Sequence, residues 1–457
     1  MTTRFDAIVI GAGQAGPSLA GRLTAAGMRV AVVERKFFGG TCVNTGCTPT
    51  KTLVASAAAA HLARCAGKYG VNIRGSVSID MHAVKARMDA ISHRSRDGVE
   101  SWLRGMERCT VIHGHARFES PDTVRVGDER LTADRIFINV GGRALVPAFP
   151  GLDRVQVLTN TTLLELNEVP RHLVIVGGGY IGLEFAQIFR RFGAAVTVIE
   201  KGPRLIGRED EDVSTAVQAI LEAEGIAVRC GAECISFEPR GEAIAVGVDC
   251  ASGEPDVVGS QVLMAIGRRP NTDDLGLDNA GVATDGRGYI TVDDQLCTSV
   301  PHIWALGDCN GRGAFTHTAY NDFEIVAANL LDGDNRRVSD RIPGYALYID
   351  PPLGRVGLSE AEARAKGYRV RIGQRPMTRV ARAIEKGETQ GFMKIVVNAE
   401  TDAILGAAIL GVGGDEAIHG VLDMMNARVP ATTLQHAVPI HPTVSELIPT
   451  ILGDLHS

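Results

Sequence analysis

The sequence predicts an α/β protein built on two parallel-sheet units, on the strength of three observations. A strand, a glycine-rich turn, a helix and a second strand ending in an acid occur over Asp6 to Glu34 and again over Leu173 to Glu200. The chain has 457 residues, more than one hydrophobic core holds, so two to four domains are expected. It also carries 53 glycines, which suits several tight, phosphate-cradling turns.

In the first unit, Ala7-Ile8-Val9-Ile10 is a short apolar strand that leads into Gly11-Ala12-Gly13-Gln14-Ala15-Gly16. A helix of Ala, Leu and Arg runs to Gly27, and a strand over Arg29 to Val33 ends at Glu34. Gly11 permits the tight turn, Gly13 lets the backbone approach a pyrophosphate, and Gly16 allows close helix–strand packing. The helix N-terminus adds free N–H groups and a positive dipole end. Glu34 stands where ribose hydroxyls need an acceptor. The pattern predicts a Rossmann-like dinucleotide site.

The second unit repeats it. Leu173-Val174-Ile175-Val176 leads into Gly177-Gly178-Gly179-Tyr180-Ile181-Gly182, a helix through Phe192, and a strand from Ala195 to Ile199 that ends at Glu200. Gly177, Gly179 and Gly182 take the same three roles. A carboxylate at Glu200 favours the free 2′-OH of NAD and repels the 2′-phosphate of NADP. Lys201 and Arg204 weaken that preference without reversing it, so NAD(H) is favoured over NADP(H). Ile136 to Val140 with Gly141-Gly142-Arg143, and Val262 to Ile266 with Gly267-Arg268, read as buried strands entering glycine turns of one shape. Thr298 to Asp308 reads as a strand ending in Gly307-Asp308, where the acid can bind a ribitol hydroxyl.

Directly after the first unit comes Gly39-Gly40-Thr41-Cys42-Val43-Asn44-Thr45-Gly46-Cys47-Thr48-Pro49-Thr50-Lys51. Two cysteines there can pass two electrons between a flavin and an acceptor by thiol–disulfide exchange. A zinc site would need about four ligands, usually in two close pairs. No matching second pair is evident, so no metal site is expected. Cys65, Cys109, Cys230, Cys234, Cys250, Cys297 and Cys309 have no assigned role. His317, His419 and His436 read as surface or packing residues, and the amphipathic stretch from Asp80 to Met106 as a packing helix.

Composition excludes other classes. Net charge is −6 with no basic tract, which argues against nucleic acid as the main partner. No apolar run reaches the roughly 18–20 residues of a membrane span. The N-terminus enters a strand at Phe5 without a signal segment. Nine irregularly spaced cysteines do not form a secreted disulfide framework. The cytosol is the expected compartment.

Together these motifs resemble the class I pyridine nucleotide–disulfide oxidoreductases over essentially the whole chain. The resemblance implies an FAD domain split by an NAD(P) domain and followed by an α+β dimerisation domain, working as a homodimer. The expected boundaries are 1–149 and 272–340 for the two parts of the FAD domain, 150–271 for the NAD(P) domain and 341–457 for the dimerisation domain. Gly40 and Thr41 fall in the FAD-binding segment. Cys47 matches the thiolate facing the flavin, and Cys42 the thiol that attacks substrate. Lys51 matches the lysine near the flavin, Glu184 its acidic partner, and Tyr180 the aromatic that covers the nicotinamide pocket. His441, in Ile440-His441-Pro442, matches the proton-shuttling histidine that reaches the partner subunit's dithiol, oriented by Glu446.

Within the family, Thr41 to Cys47 is similar to the mercuric reductase segment, but Gly453-Asp454-Leu455-His456-Ser457 lacks the paired cysteines that hand mercury to the dithiol in those enzymes. The His441-Pro442 pair and Glu200 are shared with lipoamide dehydrogenase, whose Ile-Pro-Ser-Lys is Thr48-Pro49-Thr50-Lys51 here. That ending, Phe315-Thr316 and the segment Asp350 to Gly357 look more like the bacterial reductases linked to reactive-chlorine resistance, relatives of which reduce hypothiocyanous acid or Cu(II). The expected function is electron transfer from NAD(P)H through FAD and Cys42–Cys47 to a small disulfide, oxidant or metal-ion acceptor. Dihydrolipoamide dehydrogenase is the alternative enzyme, and a non-catalytic flavin- or nucleotide-binding subunit the alternative of a different class.

Overall fold

The structure, a computed structural model, describes residues 2–233, 235–248 and 255–456; Cys234 and Cys250 lie outside these. The apolar runs around Ala7–Ile10 and Val30–Val33 lie inside a seven-stranded sheet. Its order is Cys109–His113, Val30–Glu34, Thr2–Ile10, Glu129–Ile138, Thr123–Val126, Ala116–Ser120, with Ile303–Ala305 paired to Glu129–Ile138. The five strands from the nucleotide-binding unit run parallel, and the two short ones form an antiparallel edge. Helices cover the parallel part, which is why those strands read as continuous apolar runs. The first strand begins at Thr2, earlier than expected, because Thr2, Thr3 and Arg4 pair with Arg130, Leu131 and Thr132. Their exposed polar side chains carry no apolar signal. The strand before Gly307 is conversely short, Ile303–Ala305.

A second parallel sheet has the order Ala227–Cys230, Ala195–Glu200, His172–Val176, Gln261–Met264. The helix Tyr180–Phe192 packs on it through Leu183, Ile188 and Phe189 and stops at Gly193 in the left-handed conformation. A three-stranded antiparallel sheet of Ser236–Arg240, Ala243–Gly247 and Asp256–Gly259 lies beside it.

The glycine turns that follow Glu129–Ile138 and Gln261–Met264 meet. Gly142–Ala144 pairs antiparallel with Arg268–Pro270, setting Gly142 opposite Pro270 and Ala144 opposite Arg268. Arg143 fastens this ribbon, donating to the Pro270 carbonyl at 3.1 Å and to Asn271 Oδ1 at 2.9 Å.

The C-terminal part is a five-stranded antiparallel sheet ordered Gly344–Leu347, Leu353–Gly357, Ile404–Leu410, Phe392–Asn398, Val370–Pro376, packed against the helix Gly414–Asn426. Thus the fold is α/β with two Rossmann-like units and a C-terminal α+β part. The amphipathic stretch forms the helix Met81–Gly105, capped by Asp80 Oδ1 on the Ala83 N–H and buried through Met81, Met88 and Leu103. No described helix is long and apolar enough to cross a membrane.

Candidate active site

The cysteine segment folds as a short helix, Gly40–Asn44, and a long one, Cys47–Cys65. Gly39 and Gly40 supply the left-handed backbone that starts the first, and Ala57 to Ala60 strengthen the second. Pro49 falls in the first turn, where no intrahelical N–H is needed. Cys47 opens the long helix and Lys51 lies one turn on, so both point to one side.

That side faces a cavity of about 1140 Å3 lined by Cys42, Cys47, Lys51, Tyr180 and Glu184. Gly11, Gly13, Glu34, Gly40 and Thr41 line it from the first unit, and Gly141, Arg268, Gly307 and Asp308 from the segments after the strands. Gly16, Gly177, Gly179, Gly182, Glu200 and Gly267 are outside this lining, as are His441 and Glu446.

The two glycine turns are built alike. At Gly11 (φ 104°) a Cβ would stand 2.3 Å from the Asn139 carbonyl, and at Gly177 (φ 117°) 2.4 Å from the Ala265 carbonyl. Each acid at the end of the following strand clamps its turn. Glu34 accepts from the Ala12 N–H at 2.9 Å and the Lys36 N–H at 2.8 Å. Glu200 accepts from the Gly178 and Gly202 N–H groups, both at 2.6 Å. Lone pairs remain on both carboxylates for ribose hydroxyls.

The two thiols are unequal. The side-chain hydrogen bond from Cys42, the bond with Thr316 and the Lys51 charge lower the Cys47 pKa to about 6, against the opposing effect of burial. The Cys42 thiol is pushed far up by its hydrogen bond to Cys47, by burial and by the neighbouring negative charge. Thr316 Oγ1 stands 3.2 Å from Cys47 Sγ and donates once Cys47 is a thiolate. Lys51 Nζ pairs with Glu184 Oε2 at 2.6 Å, and Glu184 is 3 % exposed. Tyr348 donates its backbone N–H to Glu184 Oε1 at 3.0 Å.

Aromatic rings also line the cavity. Phe315 stacks on Tyr345 at 5.6 Å and on His317 at 5.4 Å, and it meets Tyr180 at 5.4 Å. The Tyr345 hydroxyl donates to Glu209. His317, expected at the surface or in packing, packs within the cavity wall and bonds the Gly344 carbonyl at 2.8 Å; His419 also lines the cavity.

Asp308 lies 3.4 Å from the Arg268 guanidinium, and burial raises its pKa. Asp322, 1 % exposed, accepts from the Gly307 N–H at 2.8 Å and sets that turn. His441 is three-quarters exposed, bonds Glu446 Oε2 through Nδ1 at 2.9 Å and is not part of the lining of its own chain's dithiol cavity.

Asn139, Thr316, Tyr345 and Tyr348 escaped sequence reasoning. Thr316 lay in the Phe315-Thr316 pair and Asn139 in the stretch Ile136 to Val140, but neither was given a role of its own, and Tyr345 and Tyr348 carried no signal.

The pyridine nucleotide-disulphide oxidoreductase family matches residues 5–322, and the dimerisation domain of that family matches residues 343–451. The chain belongs to this family. It is 34% identical to the probable pyridine nucleotide-disulfide oxidoreductase RclA of Escherichia coli, over 99% of both chains. It is 33% identical to a dihydrolipoyl dehydrogenase of Thermus scotoductus, covering 99% of this chain and 97% of that one. A Bacillus cereus mercuric reductase is 33% identical, covering 97% of this chain and 70% of its own. Among solved structures, the Cu(II) complex of the HOCl-induced flavoprotein disulfide reductase RclA from Escherichia coli matches with a TM-score of 0.89, at 33% identity over 99% of both chains. The protein is a flavoprotein disulfide oxidoreductase carrying a dimerisation domain.

The cavity fits the flavin nucleotide of this family. A Cβ on Gly40 would stand 2.8 Å from the Gly13 Cα, so two bare backbones meet in the cavity lining and leave the space a pyrophosphate needs.

Proposed function

We propose that this protein is a reductase that carries two electrons from NADH through the Cys42–Cys47 dithiol to a small acceptor, working as a homodimer. Gly13, Gly40, Glu34 and Asp308 hold FAD, with Gly11 and Gly16 shaping its turn and Thr41, Gly141 and Gly307 at its edges. FAD bound there supplies the two-electron link between nicotinamide and the disulfide. Gly177, Gly179 and Gly182 receive the nicotinamide dinucleotide, Tyr180 covers its ring, and Gly267 and Arg268 border it. The Glu200 carboxylate favours NADH, because a 2′-phosphate would meet like charge there.

The unequal thiols carry this reading. Cys47 rests as a thiolate, held by Thr316 and by Lys51, while Cys42 keeps its proton until a base takes it. That base is His441 of a second copy, oriented by Glu446, since His441 is exposed and does not line its own chain's dithiol cavity. With a disulfide acceptor, the Cys42 sulfur attacks one acceptor sulfur, and the departing thiolate takes the proton from His441. Cys47 then attacks the Cys42 sulfur, which closes the disulfide and releases the second acceptor sulfur as a thiolate that takes its proton from solvent.

The likeness to RclA supports an oxidant or Cu(II) as acceptor, and that to dihydrolipoyl dehydrogenase supports lipoamide. Anaerobic titration with NADH, followed by visible absorbance, tests the relay. A long-wavelength band near two-electron reduction is the expected result. Bleaching without such a band would remove the dithiol from the pathway. Reoxidation by lipoamide, hypothiocyanous acid, Cu(II) or Hg(II) then ranks the acceptors, and parallel runs with NADPH rank the donors.

A further inference from the structure

Lys51 reaches the dithiol on a flexible four-carbon stem, and its ion pair with Glu184 fixes the distance to that carboxylate but not the direction of approach. A second contact closes the remaining freedom. The Tyr348 ring lies 4.6 Å from Lys51 Nζ, so the ammonium sits between a carboxylate and an aromatic face. The same residue donates its backbone N–H to the other oxygen of Glu184 at 3.0 Å. Tyr348 directly follows the strand Gly344–Leu347 of the C-terminal part, whereas Lys51 and Glu184 come from the two nucleotide-binding units.

We propose that Tyr348 is a positioning residue that holds Lys51 beside Cys47, its ring taking the ammonium and its N–H taking the carboxylate paired with it. This rests on the dithiol reading above. The charged and titratable groups around Cys47 are Cys42, Lys51, Glu184 and the phenols of Tyr180 and Tyr348; Asp415 and Glu416, from the helix Gly414–Asn426, face Tyr348. Lys51 is the cation acting on the thiolate, so any swing of its ammonium changes how far the thiolate is favoured.

The test is the pH dependence of Cys47 alkylation by iodoacetamide in NADH-reduced holoenzyme under nitrogen, resolved by site with mass spectrometry. Tyr348→Leu raises the Cys47 midpoint by about half to one pH unit, while Tyr348→Phe keeps the ring and the wild-type midpoint. Tyr348→Met is measured alongside, so that a leucine variant that fails to fold does not end the test. An unmoved midpoint in Tyr348→Leu or Tyr348→Met overturns the proposal. So does a shift in Tyr348→Phe as large as that in the leucine variant, which would assign the effect to the phenol. A wild-type Cys47 that titrates like an ordinary thiol, near about 8.5, overturns the dithiol reading instead. The two failures differ, because the first leaves the low wild-type midpoint intact.

Discussion

The Thr316 hydroxyl lies 3.2 Å from the Cys47 sulfur, across 269 residues of sequence. It comes from the first turn of the helix Thr316–Ala327, so the start of that helix and the start of the cysteine helix face each other. A hydroxyl so placed favours the ionised sulfur. Cys47 has a depressed pKa of about 6, so its thiolate persists above that pH and is lost as pH falls below it. Thr316→Val keeps the shape and removes the donor. The midpoint for loss of the long-wavelength band should rise by about one pH unit, read from spectra of NADH-reduced protein between pH 4.5 and about 9.

Removing Lys51 leaves Glu184 buried with only the Tyr348 N–H. Lys51→Met is expected to lower stability by about 2 kcal/mol, less than a fully buried pair would lose, because the lysine is one-third exposed. Glu184→Gln should cost less, since the amide still accepts from Tyr348. Thermal unfolding of holo-protein checks both, and equal losses would mean that the burial of Glu184 is not the dominant cost.

Two glycines separate the two nucleotide sites. A Cβ on Gly182 would stand 2.2 Å from the Gly177 carbonyl oxygen, and one on Gly16 2.3 Å from the Gly11 carbonyl oxygen. Either alanine forces backbone apart at a cost of about 2–3 kcal/mol. Gly182→Ala should keep its yellow colour and lose NADH affinity, whereas Gly16→Ala should lose bound FAD. Flavin content and NADH titration distinguish the two.

His441 offers a test of subunit sharing. Cys42→Ser and His441→Ala should each be nearly inactive as pure proteins. Unfolded together and refolded as an equal mixture, they should regain about a quarter of wild-type activity, since half the dimers are hybrids with one intact site each. No regain would put His441 in its own chain's site or outside the chemistry.

Both parallel units were legible because their signals are local. Gly11 to Glu34 and Gly177 to Glu200 each spell out strand, turn, helix and acid within about 25 residues. The cysteine helix was legible for the same reason. The shell around the thiols was not, because its members come from far apart. Thr316 reaches Cys47 across 269 residues and Tyr348 reaches Glu184 across 164, each from another part of the fold. The ion pair of Lys51 with Glu184, 133 residues on, came from the family resemblance and from no pattern in the chain. The early start of the first strand was hidden likewise, because its partners Arg130 to Thr132 lie in a distant hairpin.

The ribbon that sets Gly142 against Pro270 makes everything between those residues a closed excursion, leaving and rejoining at one rung. A segment whose ends touch can be exchanged without rethreading the rest of the chain. Any replacement spliced in at that rung would have to bring its own counterpart of Glu184, because the carboxylate that pairs with Lys51 beside the dithiol lies within the exchanged stretch.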